Sequence, residues 1–307
     1  MQRRFIDYAV ISLKGLAMGA ADVVPGVSGG TIAFISGIYE ELITALNNIN
    51  LSLLRTLKKE GVQAAWSQLN GNFLLALFIG IGISVLSLAK GLEWVLKHHP
   101  ILIWSFFFGL VLASVLFIGK QIKQWNLGII ISLTLGAFVA YYITIIPSLA
   151  SSNSSHLFLF FAGALAVCAM ILPGISGAFI LVLLGAYQPV LEAVNNKDIK
   201  SILIIGFGAV IGLLSFSKLL KWLFKNYHNL TLAILTGFIL GSLNKIWPWK
   251  KVLSYRTNSK GEQVPFLEES ISPFSLDGDN QILFALGLMI FGFITIFILE
   301  KLGSKTQ

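Results

Sequence analysis

A short break, Pro25-Gly26-Val27-Ser28-Gly29-Gly30, interrupts one apolar stretch, and Pro173-Gly174-Ile175-Ser176-Gly177-Ala178 interrupts another. Each break is followed at the same distance by Gly-x-Tyr, as Gly37/Tyr39 and Gly185/Tyr187, and Gly15 pairs with Gly163 at the same offset of 148. Clustered proline and glycine end helices. Inside a bilayer a broken backbone is tolerated only where it is buried in protein or lines a wet cavity. Two matched breaks, one in each half of a chain, are the mark of a transporter site built from internal repeats.

A bilayer is the right solvent to consider. Of 307 residues, 56% are hydrophobic and 12% charged, against about 25% charged in soluble domains. The net charge of +8 reads as loop Lys and Arg that set topology and meet anionic lipid. No basic run with interleaved aromatics points to nucleic acid. Cys168 is the single cysteine, so no intrachain disulfide forms. His98, His99, His156 and His228 lie at segment ends, without metal-ligand spacing, and no cofactor is expected. A nucleotide-binding Gly-rich loop is also missing. Met1-Gln2-Arg3-Arg4 opens directly into the first motif segment without an Ala-x-Ala site, so no cleaved signal peptide is expected.

A crossing helix needs about 20 apolar residues. Six stretches qualify: 73–89, 101–119, 127–146, 201–217, 230–247 and 281–299. Three follow each motif. The repeat continues through them, since Gly80, Ser87, Trp94 and Gly109 match Gly208, Ser215, Trp222 and Gly237 at an offset of 128. The third helices align through Gly136 and Gly292. Extra linker residues lie around Asn50–Asn72, and a polar insert at 248–280. Within the insert, Val252–Tyr255 and Val264–Leu267 flank Asn258–Gly261 as a β-hairpin would.

The motif arms are too short to span alone, which leaves two threadings: a re-entrant hairpin, or one discontinuous helix that passes through. With hairpins, each repeat crosses three times and the second is inverted. One face then holds Arg3, Arg4, Lys14, Arg55, Lys58, Lys59, Lys120, Lys123, Lys218, Lys221, Lys225, Lys301 and Lys305, 13 of the 22 basic residues. Through-helices divide them 10 to 12. The positive-inside rule favours the hairpins, with both termini cytoplasmic.

The expected fold is therefore an all-α polytopic membrane protein of two inverted repeats. The first, 1–147, has a hairpin at 5–46 and helices 73–89, 101–119 and 127–146. The second, 156–307, has a hairpin at 157–190, helices 201–217, 230–247 and 281–299, and the external insert 248–280.

The chemistry of the break follows from helix ends. A helix begins after each motif, so its unpaired N–H groups and positive dipole end point into the break. Such a place receives anions. The first copy offers Pro25, Gly26, Val27, Ser28, Gly29, Gly30 and Thr31. The second offers Pro173, Gly174, Ile175, Ser176 and Gly177. Inverted repeats would bring the two N-termini to one cavity near the midplane. The alternative is that these small residues serve helix packing, which is the expectation for Gly80, Gly82, Gly109, Gly136, Gly206, Gly208, Gly237 and Gly241. Ionisable residues at this depth are functional candidates: Asp22 first for coupling, then Glu40, with Lys14 as a partner for Asp22 or a modulator of its charge; the alternative for Asp22 is a buried structural pair or an N-cap partner. The second half has Met170 and Gln188 where the first has Asp22 and Glu40.

The segment from Lys14 to Glu40 closely resembles the opening signature of the domain of unknown function 368 family, and Met170–Gly177 is similar to its second signature. The resemblance implies a bacterial or archaeal transporter in the plasma membrane that returns undecaprenyl phosphate, or a similar polyprenyl phosphate, to the inner leaflet for envelope synthesis. A looser resemblance links the motif to undecaprenyl-pyrophosphate phosphatases. Gly29-Gly30 replaces the Arg-Ser of their motif, and their paired glutamates three residues apart are missing, since Glu40 and Glu41 are adjacent. Pyrophosphate cleavage has no evident machinery here. A small-anion or ion transporter using the same dipole site remains a third reading.

Overall fold

The computed structural model describes residues 3–23, 28–146, 155–257, 263–276 and 278–304. The first motif region contributes α1 (Phe5–Val23), α2 (Gly29–Ile35) and α3 (Tyr39–Asn47), followed by α4 (Leu51–Leu69). Then come α5 (Gly71–Ser87), α6 (Ala89–His98), α7 (Pro100–Gly119) and α8 (Leu127–Ile145). The second motif region is α9 (His156–Ile171), α10 (Gly177–Leu183) and α11 (Tyr187–Asn195), followed by α12 (Ile199–Asn226) and α13 (His228–Ser242). A 3-10 turn, Leu243–Ile246, leads into β1 (Lys250–Thr257) and β2 (Gln263–Ser270), and α14 (Ile282–Ser304) closes the chain.

Among the described residues, the regular structure is helical except for one antiparallel hairpin, in which Lys250 stands opposite Ser270 and Thr257 opposite Gln263. The hairpin lies in the insert, where alternating strand-forming residues announce it, so the all-α description holds for the helical body. The linker around Asn50–Asn72 is instead the helix α4, capped by Asn50, whose side chain accepts from Ser52 N and Leu53 N. Its exposed Leu51, Leu54, Leu57 and Trp66 alternate with Arg55, Lys58 and Lys59, which breaks any apolar run of spanning length. Gly61, at φ +85°, kinks it.

Among the described residues, four segments are candidate spans by length and apolarity: Pro100–Gly119, Leu127–Ile145, Ile199–Asn226 and His228–Ile246. A fifth is the bent pair α4–α5. The other two stretches read from the sequence, 73–89 and 281–299, fall on α5 and α14. Helix α5 has 17 residues before Leu88 closes it, and α14 runs 23 residues from Ile282 to Ser304.

Glycines fix how the helices pair. A Cβ on Gly15 would strike the Leu77 carbonyl of α5, and one on Gly80 the Ser12 carbonyl of α1. Their offset partners do the same: Gly163 faces Ile205 of α12, and Gly208 faces Phe160 of α9. Gly109 of α7 meets Met289 of α14 while Gly237 of α13 meets Leu133 of α8; Gly292 meets Phe106 and Gly136 meets Ile234. The contacts survive exchange of the two halves residue by residue. Close backbone approach through glycine is the usual packing device in bilayers. Gly82 and Gly206 meet nothing within 4 Å, so packing does not account for them.

Partners run in the same direction. Along α1 and α5, Tyr8 meets Asn72, the Ser12 hydroxyl donates to Ala76 O at 2.8 Å, and Gly19 adjoins Ile81 and Ser84. Along α7 and α14, Phe106 meets Phe291 and Lys120 lies over Phe297. Along α13 and α8, Gly237 adjoins Leu133, Gly241 adjoins Ala137 and Asn244 bonds Thr144.

Candidate functional site

The two motifs meet. Ser28 is the N-cap of α2, its Oγ accepting from Gly30 N at 3.1 Å, and the same hydroxyl donates to Met170 O at 3.1 Å. Tyr39 OH donates to Ile171 O at 3.1 Å. Met170 and Ile171 end α9, where carbonyls lack helical partners. Hydroxyls from the first half therefore close the helix that precedes the second break. Thr31 Oγ1 accepts from Gly174 N at 2.8 Å. Buried polar groups are costly unless paired, and Ser28 and Thr31 are 2% and 1% exposed. Gly30 permits the approach, because a Cβ there would lie 2.7 Å from Ile171 O.

The two breaks differ in what occupies their helix starts. At the first, Asp22 Oδ1 accepts from Gly29 N at 2.6 Å, so a resident carboxylate takes up a donor of α2. All of α2 is buried. At the second, Ser176 precedes α10 and makes no capping bond. None of the α10 residues is buried. Gly174 adopts φ +87°, and a Cβ there would fall 2.8 Å from Ser242 Oγ of α13. Only glycine suits both the conformation and the approach.

Beside the second motif lies a small cleft, open on one side and lined by Ile143, Thr144, Gly174, Ile175, Ser176, Phe179 and Lys245. Lys245 Nζ sits 5.0 Å from the Phe179 ring centroid. Among the described residues Lys245 makes no ion pair within 4.0 Å. The hairpin root fixes this end of the cleft. Ser270 Oγ bonds both the main-chain and side-chain oxygens of Asn244, and Asn244 Nδ2 donates to Thr144 Oγ1 at 3.4 Å. Trp247 and Trp249 donate their indole N–H groups to Ile271 O and Asn280 O. Lys250 is buried over the Trp104 ring at 4.1 Å and pairs with Glu268 at 3.4 Å. Burial pushes its ammonium down to about 8, with Glu268 partly opposing the shift.

Of the residues singled out from the sequence, Pro25, Gly26 and Val27 lie outside the described residues. Ser28, Gly29, Gly30 and Thr31 are buried against Met170, Ile171 and Gly174, whereas Ile175 and Ser176 line the cleft and Pro173 is buried beside them. Gly177 packs towards Ala166 O. Lys14 Nζ donates to Ser36 O at 2.7 Å, at the C-terminal end of α2, and is not paired with Asp22. Glu40 is 3.8 Å from His228 Nδ1, away from the cleft. Lys245, Thr144 and Phe179 were not singled out. A signal existed for Lys245: it is an ionisable residue at the end of an apolar run, and the first half has Phe117 at the matching position. Among the described residues no cluster of His, Cys, Asp or Glu is arranged to hold a metal.

Residues 18–264 match the VCA0040-like family, described as undecaprenyl phosphate translocase-like. A protein of Vibrio cholerae serotype O1, named polyprenyl-phosphate transporter, is 50% identical over 309 residues, covering 99% of this chain and 100% of the relative. A Staphylococcus aureus protein of the same name is 30% identical over 254 residues, covering 77% of this chain and 85% of the relative. No solved structure matches the chain.

Proposed function

The chain belongs to the VCA0040-like, undecaprenyl phosphate translocase-like family, and from that membership we propose that it carries undecaprenyl phosphate, or a similar polyprenyl phosphate, across the plasma membrane. It acts as a translocase rather than an enzyme, in keeping with the names of its relatives. The phosphate crosses at the junction of the two motifs while the isoprenoid tail stays in lipid. The observation that carries this reading is the union of two loops far apart in sequence through the Ser28–Met170 and Thr31–Gly174 hydrogen bonds. A backbone broken at membrane depth and held in protein is where a transporter keeps its site.

The architecture we propose is a pair of inverted repeats, each opening with a re-entrant hairpin. Helix direction supports it. Helices α1 and α5 run parallel, so the chain must return to its starting face between them, as a hairpin does. Parallel pairing of α7 with α14 and of α8 with α13 follows if each repeat crosses three times. Four crossings per repeat would make those pairs antiparallel. Both termini then face the cytoplasm.

For coupling, Asp22 is the first candidate, since its carboxylate holds the first residue of α2; Glu40 is second, and Lys14 ties α1 to the end of α2. Proteoliposomes containing only this protein and labelled undecaprenyl phosphate test the function. Leaflet-resolved accessibility should show exchange of the lipid well above that of empty vesicles. Exchange no faster than in empty vesicles refutes the reading, and release of inorganic phosphate would make the protein a phosphatase.

A further inference from the structure

We propose that Lys245 is the cation that recognises the phosphate monoester head of the lipid, in the cleft it forms with Thr144, Ser176 and Phe179, on the side of the β-hairpin. This rests on the transport reading and assigns the head to one end of its path.

Three observations converge. First, Lys245 is a cation on an apolar helix end that lines a cleft rather than pairing with an acid. Glu268, an acid of the hairpin above, is engaged by Lys250. An intramembrane charge ordinarily has a partner; the face of Phe179 supplies a weak one, and Glu268 acts on Lys245 only from beyond ion-pair distance. A phosphate oxygen displacing the ring would form a stronger, charge-assisted contact. Second, a hydroxyl that can complete a phosphate shell lines the same cleft: Ser176 makes no capping bond, while Thr144 beside it would have to turn its donor away from Tyr141 O, which it meets at 2.7 Å. Third, the two halves are unequal in the required sense. The first break already holds the Asp22 carboxylate, which repels an anion, while the second has Met170 at that position and Lys245 close by. Phosphate therefore meets the second motif first. Asn244, next to the lysine, is held by both Thr144 and Ser270, so hairpin and cleft are mechanically one unit.

The test uses the full-length protein in lipid nanodiscs. Undecaprenyl phosphate should protect Lys245 from an amine-acylating reagent, read by mass spectrometry. Undecaprenol, which lacks the phosphate, should not protect it, and exposed Lys251 should label equally throughout. Lys245→Gln should weaken binding of labelled undecaprenyl phosphate at least tenfold and leave undecaprenol binding unchanged, with Lys245→Arg close to wild type. The proposal is overturned if the lipid phosphate fails to protect Lys245 in protein that binds it. It is equally overturned if Lys245→Gln loses both lipids alike, since the lysine would then be structural. Protection by inorganic phosphate at the same concentration as the lipid would make the cleft a free-anion site and also overturn it. Wild-type protein that neither binds nor moves the lipid would instead refute the transport reading. The protection measurement needs no variant, so it stands even if Lys245→Gln fails to fold.

Discussion

Thr31 shows how single side chains hold the two halves together. Its buried Oγ1 accepts the Gly174 N–H. Thr31→Val keeps the shape and leaves that donor unpaired, at a cost of about 1–3 kcal/mol. Thr31→Ser keeps the acceptor. Thermal unfolding in detergent should place Val well below wild type and Ser near it; equal losses would mean that the methyl group, not the hydrogen bond, matters. Lys250 gives a pH signature. Its ammonium is pushed down to about 8 from the ordinary 10.5, chiefly by burial. Below pH 8 it is charged folded and unfolded, and the burial cost is present in full. Between 8 and 10.5 the unfolded chain holds the proton that the folded chain has released, so folded stability rises with pH. Each unit is worth about 1.4 kcal/mol. The melting temperature of wild type relative to Lys250→Met should therefore climb from pH 8 to pH 10, and a flat difference would refute the assignment.

At the scale of helices, packing is set by glycine and carbonyl, and that gives a controlled comparison. Gly80→Ala and Gly208→Ala each drive a methyl into a neighbouring backbone, at Ser12 O and Phe160 O. Gly82→Ala and Gly206→Ala meet open space and gain helix propensity, up to about 1 kcal/mol. The first pair should lower the melting temperature by several degrees and the second should hold or raise it. All four positions look alike in the sequence, where each reads as a packing glycine. What separates them is which side of the helix faces a partner, and that depends on the closed structure. The motif breaks, the offset repeat and the β-hairpin were legible because proline, glycine and alternation act locally. Helix α4 was not, because its apolar and basic residues interleave below any spanning length. The Ser28, Thr31 and Tyr39 bonds were invisible for another reason: they join positions about 130 to 140 residues apart, and no local pattern encodes such a match. Lys245 was readable by the rule that raised Asp22, yet its place at a helix end resembles a snorkelling anchor.

The whole molecule is decided by handedness across the bilayer, where helix direction and charge bear on the same question by independent routes. Parallel pairs tie α1 to α5 and α7 to α14; on the threading proposed above, α4 and the N-terminus share one face and the hairpin occupies the other. Charge distribution points the same way, since Arg55, Lys58 and Lys59 of α4 join Lys120, Lys123 and Lys218 on the basic side. The labelling experiment that tests both needs a background free of thiols, obtained by Cys168→Ser, because Cys168 is the single cysteine. Into it go Lys59→Cys on α4 and Lys251→Cys on β1, both exposed positions. In intact cells a membrane-impermeant maleimide should modify the position 251 thiol and spare the one at 59, which should react only after the membrane is opened. Labelling of both from one side would break the proposed three-crossing repeat, and with it the proposed inversion of the two motifs. Reversal, with 59 outside and 251 inside, would keep the repeat but invert the molecule. The Lys245 cleft would then open to the cytoplasm, and the phosphate would be captured from the leaflet to which an importer delivers it.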